Sequence, residues 1–168
     1  LEKAQEHKYH LLLSELNVDA SHHILEIGCG WGGFAIYAAK TTGCKVTALT
    51  ISPAQCNFAK QKVSRLGLEG QVRIKLCDYR DMDEKFDRIV SIEMLEAVGE
   101  AYWASYFEKF NTLLQSGGRA AVQVITIDEA YWHRYRRNPD FIQQYIFPGG
   151  MLPTIGRLQQ DVQAAKLN

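Results

Sequence analysis

The chain has 168 residues, 46% of them hydrophobic, with 19 Lys+Arg against 19 Asp+Glu. That length suits one domain with one core, burying roughly 70% of the surface its unfolded chain exposes, and the balanced charge offers no global attraction to nucleic acid or to an anionic membrane. No apolar run approaches the roughly 18 residues of a membrane span, and Leu1-Glu2-Lys3 does not read as a signal peptide. Cys29, Cys44, Cys56 and Cys77 have neither a C-x-x-C pair nor zinc spacing, so the reading is a reduced, cytoplasmic chain with no metal site, in which lipid contact is peripheral.

The spacing of Leu1, Ala4, Leu11, Leu12 and Leu16 predicts an amphipathic helix ahead of the first strand. Residues 24–27 read as a short apolar strand that runs into Gly28-Cys29-Gly30-Trp31-Gly32-Gly33, and residues 31–40 as a helix. Glycines at such a turn let the backbone approach a ligand closely, and the first amides of the next helix face that ligand. A dinucleotide site wants an acidic residue about 20 positions past the first glycine. The second strand, Lys45–Thr50, is instead followed by Ile51-Ser52, without a carboxylate. NAD loses ground accordingly, and Glu26-x-Gly28-x-Gly30-x-Gly32 fits the first motif of S-adenosylmethionine (SAM) methyltransferases better. Those enzymes usually have an acid after the second strand, so Thr50 and Ser52 call for a subfamily that grips ribose with hydroxyls.

Ser52 and Pro53 read as the cap and first turn of a helix whose buried face is Phe58, Ala59, Val63 and Leu66, ended by Gly67. Strands are predicted at Val72–Leu76, Phe86–Ile92 and 119–127, with a helix presenting Trp103, Phe107, Phe110 and Leu114 between the last two. This alternation predicts an α/β, Rossmann-like fold: a mostly parallel sheet with helices on both faces and right-handed crossovers. Cys29 reads as a small buried filler in the glycine turn.

Five blocks in order resemble the cyclopropane-fatty-acyl-phospholipid synthases, the mycolic acid cyclopropane synthase-like methyltransferases. They are Leu25-Glu26-Ile27-Gly28-Cys29-Gly30-Trp31-Gly32-Gly33-Phe34, then Leu49-Thr50-Ile51-Ser52-x-x-Gln55, then Asp78-Tyr79-Arg80-Asp81. Phe86-Asp87-Arg88-Ile89-Val90-Ser91-Ile92-Glu93-Met94-Leu95-Glu96-Ala97-Val98-Gly99 and Phe141-Ile142-Gln143-x-Tyr145-Ile146-Phe147-Pro148-Gly149-Gly150 follow. The first block is common to many methyltransferases; the last two are much more particular. Measured against that fold, the terminal strands have no candidate after Asp128, and the family begins earlier than Leu1, so a truncated core of a single domain is expected.

The resemblance implies SAM as cofactor, with Glu26, Gly28, Gly30 and Gly32 at its methionine and ribose part, Thr50, Ser52 and Gln55 at the ribose, and Asp78 and Tyr79 at the adenine. It implies bicarbonate as proton acceptor, which Glu96 helps to hold. The catalytic candidates are Glu96, Gln123 and Ile125. Two departures stand out: the family's Glu-His is Glu96-Ala97, and a histidine often present in the fifth strand is Gln123, whose amide can still donate to bicarbonate. The family's bicarbonate-contacting cysteine and tyrosine would lie before Leu1 and beyond Asn168. Glu93 stands where glycine is frequent, and either crowds the SAM pocket or faces solvent, the second being the expectation.

Tyr131-Trp132-His133-Arg134-Tyr135-Arg136-Arg137 reads either as a solvated helix or as an interfacial patch with its rings at headgroup depth, at the inner membrane face. Phe141, Tyr145, Ile146 and Phe147 either wall an acyl channel or belong to the core. The function implied is transfer of a methylene unit from SAM to the cis double bond of a phospholipid acyl chain. A small-molecule N- or C-methyltransferase and a non-catalytic SAM-binding fragment are the alternatives.

Overall fold

The computed structural model describes residues 1–167. Its five strands are β1 (His23–Ile27), β2 (Lys45–Thr50), β3 (Val72–Leu76), β4 (Phe86–Ile92) and β5 (Leu114–Gln123), in the sheet order β3-β2-β1-β4-β5. β1 pairs in parallel with β2 and with β4, placing Ile24 opposite both Val46 and Arg88, and β2 pairs in parallel with β3. The central strands are buried along most of their length, as strands covered on both faces must be: Ile24, Leu25 and Ile27 are at most 1% exposed. At the edge, β3 alternates, with Val72 and Ile74 buried and Arg73 exposed. Strand order reverses between β1 and β4, and the crevice beyond their carboxyl ends is where an open α/β sheet binds ligands. There the Ser91 hydroxyl donates to the Ile27 carbonyl at 3.1 Å, joining the two strands at the reversal.

The chain forms two compact units, Leu1–Ser91 with Leu113–Val122, and Ile92–Thr112 with Gln123–Asn168. The first contains α1 (Glu2–Glu15), α2 (Gly33–Thr42) and α3 (Pro53–Arg65). The predicted face of helix α1 holds only in part: Leu16 is buried as its spacing predicts, whereas Leu1, Ala4 and Leu11 are exposed and Leu13, outside the predicted set, is buried. Tyr9, one turn before Leu13, packs edge-on against Phe34 of α2 with centroids 5.7 Å apart. In α3 the Ser52 hydroxyl accepts from Gln55 N with Pro53 in the first turn, as predicted. Its buried residues are Cys56, Ala59 and Val63; Phe58 and Leu66 lie outside, Phe58 meeting Trp31 edge-on at 5.3 Å.

The second unit holds most of α4 (Trp103–Leu113), then α5 (Glu129–Arg137), a π-helical turn at Ile142–Ile146 and α6 (Ile155–Ala164). Trp103, Tyr106, Phe107 and Phe110 of α4 are buried at the expected helical spacing. Glu100 accepts from Arg136 at 2.7 Å and faces Arg157 at 3.5 Å; Arg157 also bonds Asp161 at 2.8 Å and lies over the Trp103 ring. The predicted fifth strand at 119–127 is displaced: Leu114 opens β5 rather than closing α4, and regular pairing ends at Gln123. Beyond it the backbone amides bond elsewhere, Ile125 N to the Glu96 carboxylate and Ile127 N to the Pro153 carbonyl. Among the described residues, no helix is long and apolar enough to cross a membrane.

Candidate functional site

The glycine turn after β1 divides its glycines by task. Gly30 has φ +51, and a Cβ built there meets nothing within 4 Å. Gly32, at φ +78, would bring a Cβ to 3.0 Å from the Ala59 Cβ, and at Gly33 a Cβ would meet the Tyr9 hydroxyl at 2.8 Å. Gly32 and Gly33 therefore serve packing against α3 and α1, while Gly30 leaves open room at the sheet's carboxyl end. Gly28, also at positive φ, starts the turn, and its amide and that of Cys29 donate to the Leu49 carbonyl at 3.1 and 2.8 Å. Cys29 is buried, which pushes its thiol up to about 12 and leaves it inert as a nucleophile.

Glu26, in the middle of β1, is a carboxylate only 3% exposed. Burial pushes its carboxyl up to about 8, opposed only by a hydrogen bond from the Ala35 amide. Its Oε2 is buried without a partner. A buried bare acceptor is destabilising, and a donor from a ligand would relieve it.

At the end of β2, the Thr50 hydroxyl donates to Gln55 Oε1 at 2.7 Å and accepts from Ser52 N at 3.1 Å. This fixes the Gln55 amide so that its Nε2 remains available to an outside acceptor such as a ribose hydroxyl. Ser52 has its oxygen engaged in capping α3. After β3, Asp78 is held by Arg80 through bonds of 3.0 and 2.6 Å, which keep its carboxyl below the usual range. Tyr79 beside it is half-buried, and desolvation pushes its phenol up. The open room over Gly30, the bare oxygen of Glu26 and the Thr50–Gln55 pair are a fit for an adenosyl cofactor with a cationic amino-acid tail.

The second unit brings the other candidates together. Glu96 lies in a 3₁₀ turn, Leu95–Ala97, and its Oε1 accepts from Ile125 N at 2.7 Å while its backbone carbonyl accepts from Met151 N at 2.9 Å. Its Oε2 is buried with no partner. Gln123 Nε2 donates to Glu93 Oε1 at 3.0 Å, and Glu93 N donates back to the Gln123 carbonyl at 2.9 Å. Glu93 is exposed, as expected, at φ +52, which explains why a glycine suits this position. Of the donors on which a bicarbonate site would draw, Ile125 N is thus engaged by the Glu96 carboxylate, and one of the two hydrogens of Gln123 Nε2 is directed at the Glu93 carboxylate.

The fourth and fifth sequence blocks meet here. A Cβ at Gly150 would lie 3.1 Å from the Glu96 carbonyl, and one at Gly99 would lie 3.7 Å from the Gly149 carbonyl. From within, Gln143, 8% exposed, donates to the Gly150 carbonyl at 3.2 Å and to Met151 Sδ at 3.7 Å. Around that anchor Phe141, Tyr145, Ile146 and Phe147 are 50–68% exposed, so none belongs to the core.

Two contributions are absent from the sequence reading. Tyr9 is hidden because α1 buries a stripe containing polar Gln5 and Lys8, though Tyr9, Leu13 and Leu16 do have helical spacing. Gln143 is a polar residue used as an inner strut, and no periodicity marks it.

The chain has relatives that match this arrangement. It is 42% identical over 154 residues to the tuberculostearic acid methyltransferase UfaA1 of Mycobacterium tuberculosis, covering 92% of this chain and 36% of that protein. It is 35% identical over 161 residues to the cyclopropane-fatty-acyl-phospholipid synthase of Escherichia coli, covering 95% of this chain and 40% of that one. Among solved structures, the mycolic acid cyclopropane synthase CmaA1, complexed with SAH and CTAB, superposes with a TM-score of 0.89 at 31% identity, over 97% of this chain and 60% of that one. The chain thus spans well under half the length of these two curated relatives. The family model for mycolic acid cyclopropane synthetase matches residues 1–168, and the chain belongs to that family.

Proposed function

We propose that the protein is a SAM-dependent methyltransferase that adds a one-carbon unit to the cis double bond of an unsaturated phospholipid acyl chain. The observation that supports it most is the open room over Gly30 beside the Thr50–Gln55 pair, at the carboxyl end of β1 and β2. Bound there, SAM supplies an electrophilic methyl group on a sulfonium. Gln55 Nε2 donates to its ribose, Tyr79 offers a ring to its adenine, with Asp78 as the acceptor, and Glu26 Oε2 receives its ammonium. Ser52, which the resemblance assigns to the ribose, has its oxygen already capping α3. Gly28, Gly30 and Gly32 shape the turn around the methionine part.

Glu96, Gln123 and Ile125 belong to the reaction side. The alkene is a weak nucleophile and its methylation leaves a cation, so the protein must exclude water and hold a proton acceptor in place. The exposed rings of Phe141, Tyr145 and Phe147, with Arg134 and Arg137 on α5, support peripheral contact with a lipid surface. The test is incubation of the protein, extended at both ends to the length of its curated relatives, with methyl-labelled SAM and unsaturated phospholipid, followed by gas chromatography–mass spectrometry of the acyl esters. A labelled cyclopropane or methyl-branched ester is expected. Label found only in small amines, or no enzymatic transfer of label, would refute the reading.

A further inference from the structure

Glu96 is fixed from two directions and still has one oxygen unused. Ile125 N holds Oε1 at 2.7 Å, Met151 N holds the backbone carbonyl at 2.9 Å, and Oε2 is buried with no partner. Among the described residues, Glu96 has no ion pair. Leaving a buried carboxylate oxygen bare is unfavourable, and such groups persist in native proteins where function uses them. We propose that Glu96 is itself the proton acceptor of the reaction, through Oε2, in place of the bicarbonate that the family resemblance implies.

This rests on the alkene-methylation reading above. Gln123 is the side chain that would grip bicarbonate, and its Nε2 lies 3.0 Å from Glu93 Oε1. An anion bonded to that amide would sit beside the Glu93 carboxylate, and like charges at such range disfavour each other. A proton acceptor built into the chain avoids that repulsion.

The step balances. The alkene π pair bonds to the methyl carbon as its C–S bond breaks, leaving positive charge on the neighbouring alkene carbon. A proton leaves the new methyl group for Glu96 Oε2, and the C–H pair closes the ring onto the cationic carbon. The positive charge that entered on sulfur ends as the proton on the carboxylate, with no oxidant or reductant required. Loss of this proton with closure of the ring discharges a carbocation and is strongly downhill, so the placement of the carboxylate governs the rate.

Two measurements decide this. In the first, ¹³C-bicarbonate is titrated into the SAH-saturated protein and followed by NMR line broadening. No saturable site is expected; a saturable site lost in Glu96→Gln would overturn the proposal, whether or not lipid is the substrate. In the second, product formation from unsaturated phospholipid vesicles is compared in carbon-dioxide-free buffer and in buffer with added bicarbonate. Equal rates are expected. Glu96→Gln, which keeps an acceptor for Ile125 N, should lower turnover by about 10²-fold or more without rescue by bicarbonate. A rate that depends on bicarbonate, or a variant restored by it, would overturn the proposal and leave the lipid reading intact. Label transfer to small amines alone would sink the lipid reading, and the NMR titration would still judge the acceptor.

Discussion

Glu96 and Ile125, 29 positions apart in the chain, are joined by a 2.7 Å hydrogen bond from the Ile125 backbone amide to the Glu96 carboxylate. The bond aims one carboxylate oxygen and frees the other. On the opposite side of Glu96 its backbone carbonyl meets the amide of Met151, and Gly150 is the residue that permits the approach.

Gly150→Ala should therefore disturb Glu96 without touching the cofactor residues. Its Cβ would lie 2.9 Å from the Phe147 carbonyl and 3.1 Å from that of Glu96, so backbone must shift. A loss of about 1–3 kcal/mol in denaturant unfolding is expected, as for overpacking elsewhere. Turnover should fall while SAH affinity holds; calorimetry showing the affinity lost as well would mean that the disturbance spreads beyond this turn.

The glycine turn predicts a contrast between neighbours. Gly30→Ala meets no atom and bears only the left-handed backbone penalty, about 1–2 kcal/mol, whereas Gly32→Ala bears that penalty and a 3.0 Å contact with Ala59 as well. Thermal melts should rank Gly32→Ala below Gly30→Ala, and a reversed ranking would contradict the division of tasks described for the turn.

Much of this geometry is legible in the residues. The strand ends at Lys45–Thr50, Val72–Leu76 and Phe86–Ile92 follow from apolar runs bounded by turn residues, and Ser52-Pro53 marks the start of α3 because a hydroxyl cap and a fixed φ have no better place. The buried face of α1 does not follow, because Tyr9 and polar Gln5 and Lys8 share a stripe that leucine spacing alone does not pick out. The end of β5 does not follow either. Residues 124–127 have strand-like composition, and only the long-range bonds of Ile125 to Glu96 and Ile127 to Pro153 remove them from the ladder. The candidate site residues are legible by type and motif, whereas the pairing of Gln123 with Glu93 depends on a left-handed glutamate that no composition rule anticipates.

Glu26 makes stability depend on pH. Its carboxyl, up to about 8 in the folded chain against an ordinary 4.5, means that the folded state holds a proton the unfolded state has released between those values. Stability of the cofactor-free protein should then fall as pH rises from about 5 to about 8, and Glu26→Gln should flatten that slope in thermal melts. Binding of a cationic ligand favours the ionised form, so SAH binding near pH 7 should release up to about one proton. Calorimetry in buffers of different ionisation enthalpy checks this; no buffer dependence would mean that Glu26 stays neutral in the complex.

The basic residues of α5 are not equivalent. Arg136 is bonded to Glu100 at 2.7 Å, leaving Arg134 and Arg137 with exposed heads. Binding to anionic vesicles should weaken with added salt, since screening acts beyond about 8–10 Å, and with Arg134→Ala/Arg137→Ala. Co-sedimentation indifferent to both changes would assign the helix to solvated surface.

The central claim is that the turn after β1 cradles an adenosyl cofactor. Isothermal titration of SAH into the 168-residue chain, run beside a Gly30→Val variant whose fold is verified by circular dichroism, tests it most directly. The expected result is one saturable site per chain in the parent and none in the variant, because a branched side chain fills the room over Gly30 that the ligand needs. Unchanged affinity in a folded Gly30→Val protein, or no saturable heat in the parent, would contradict the account.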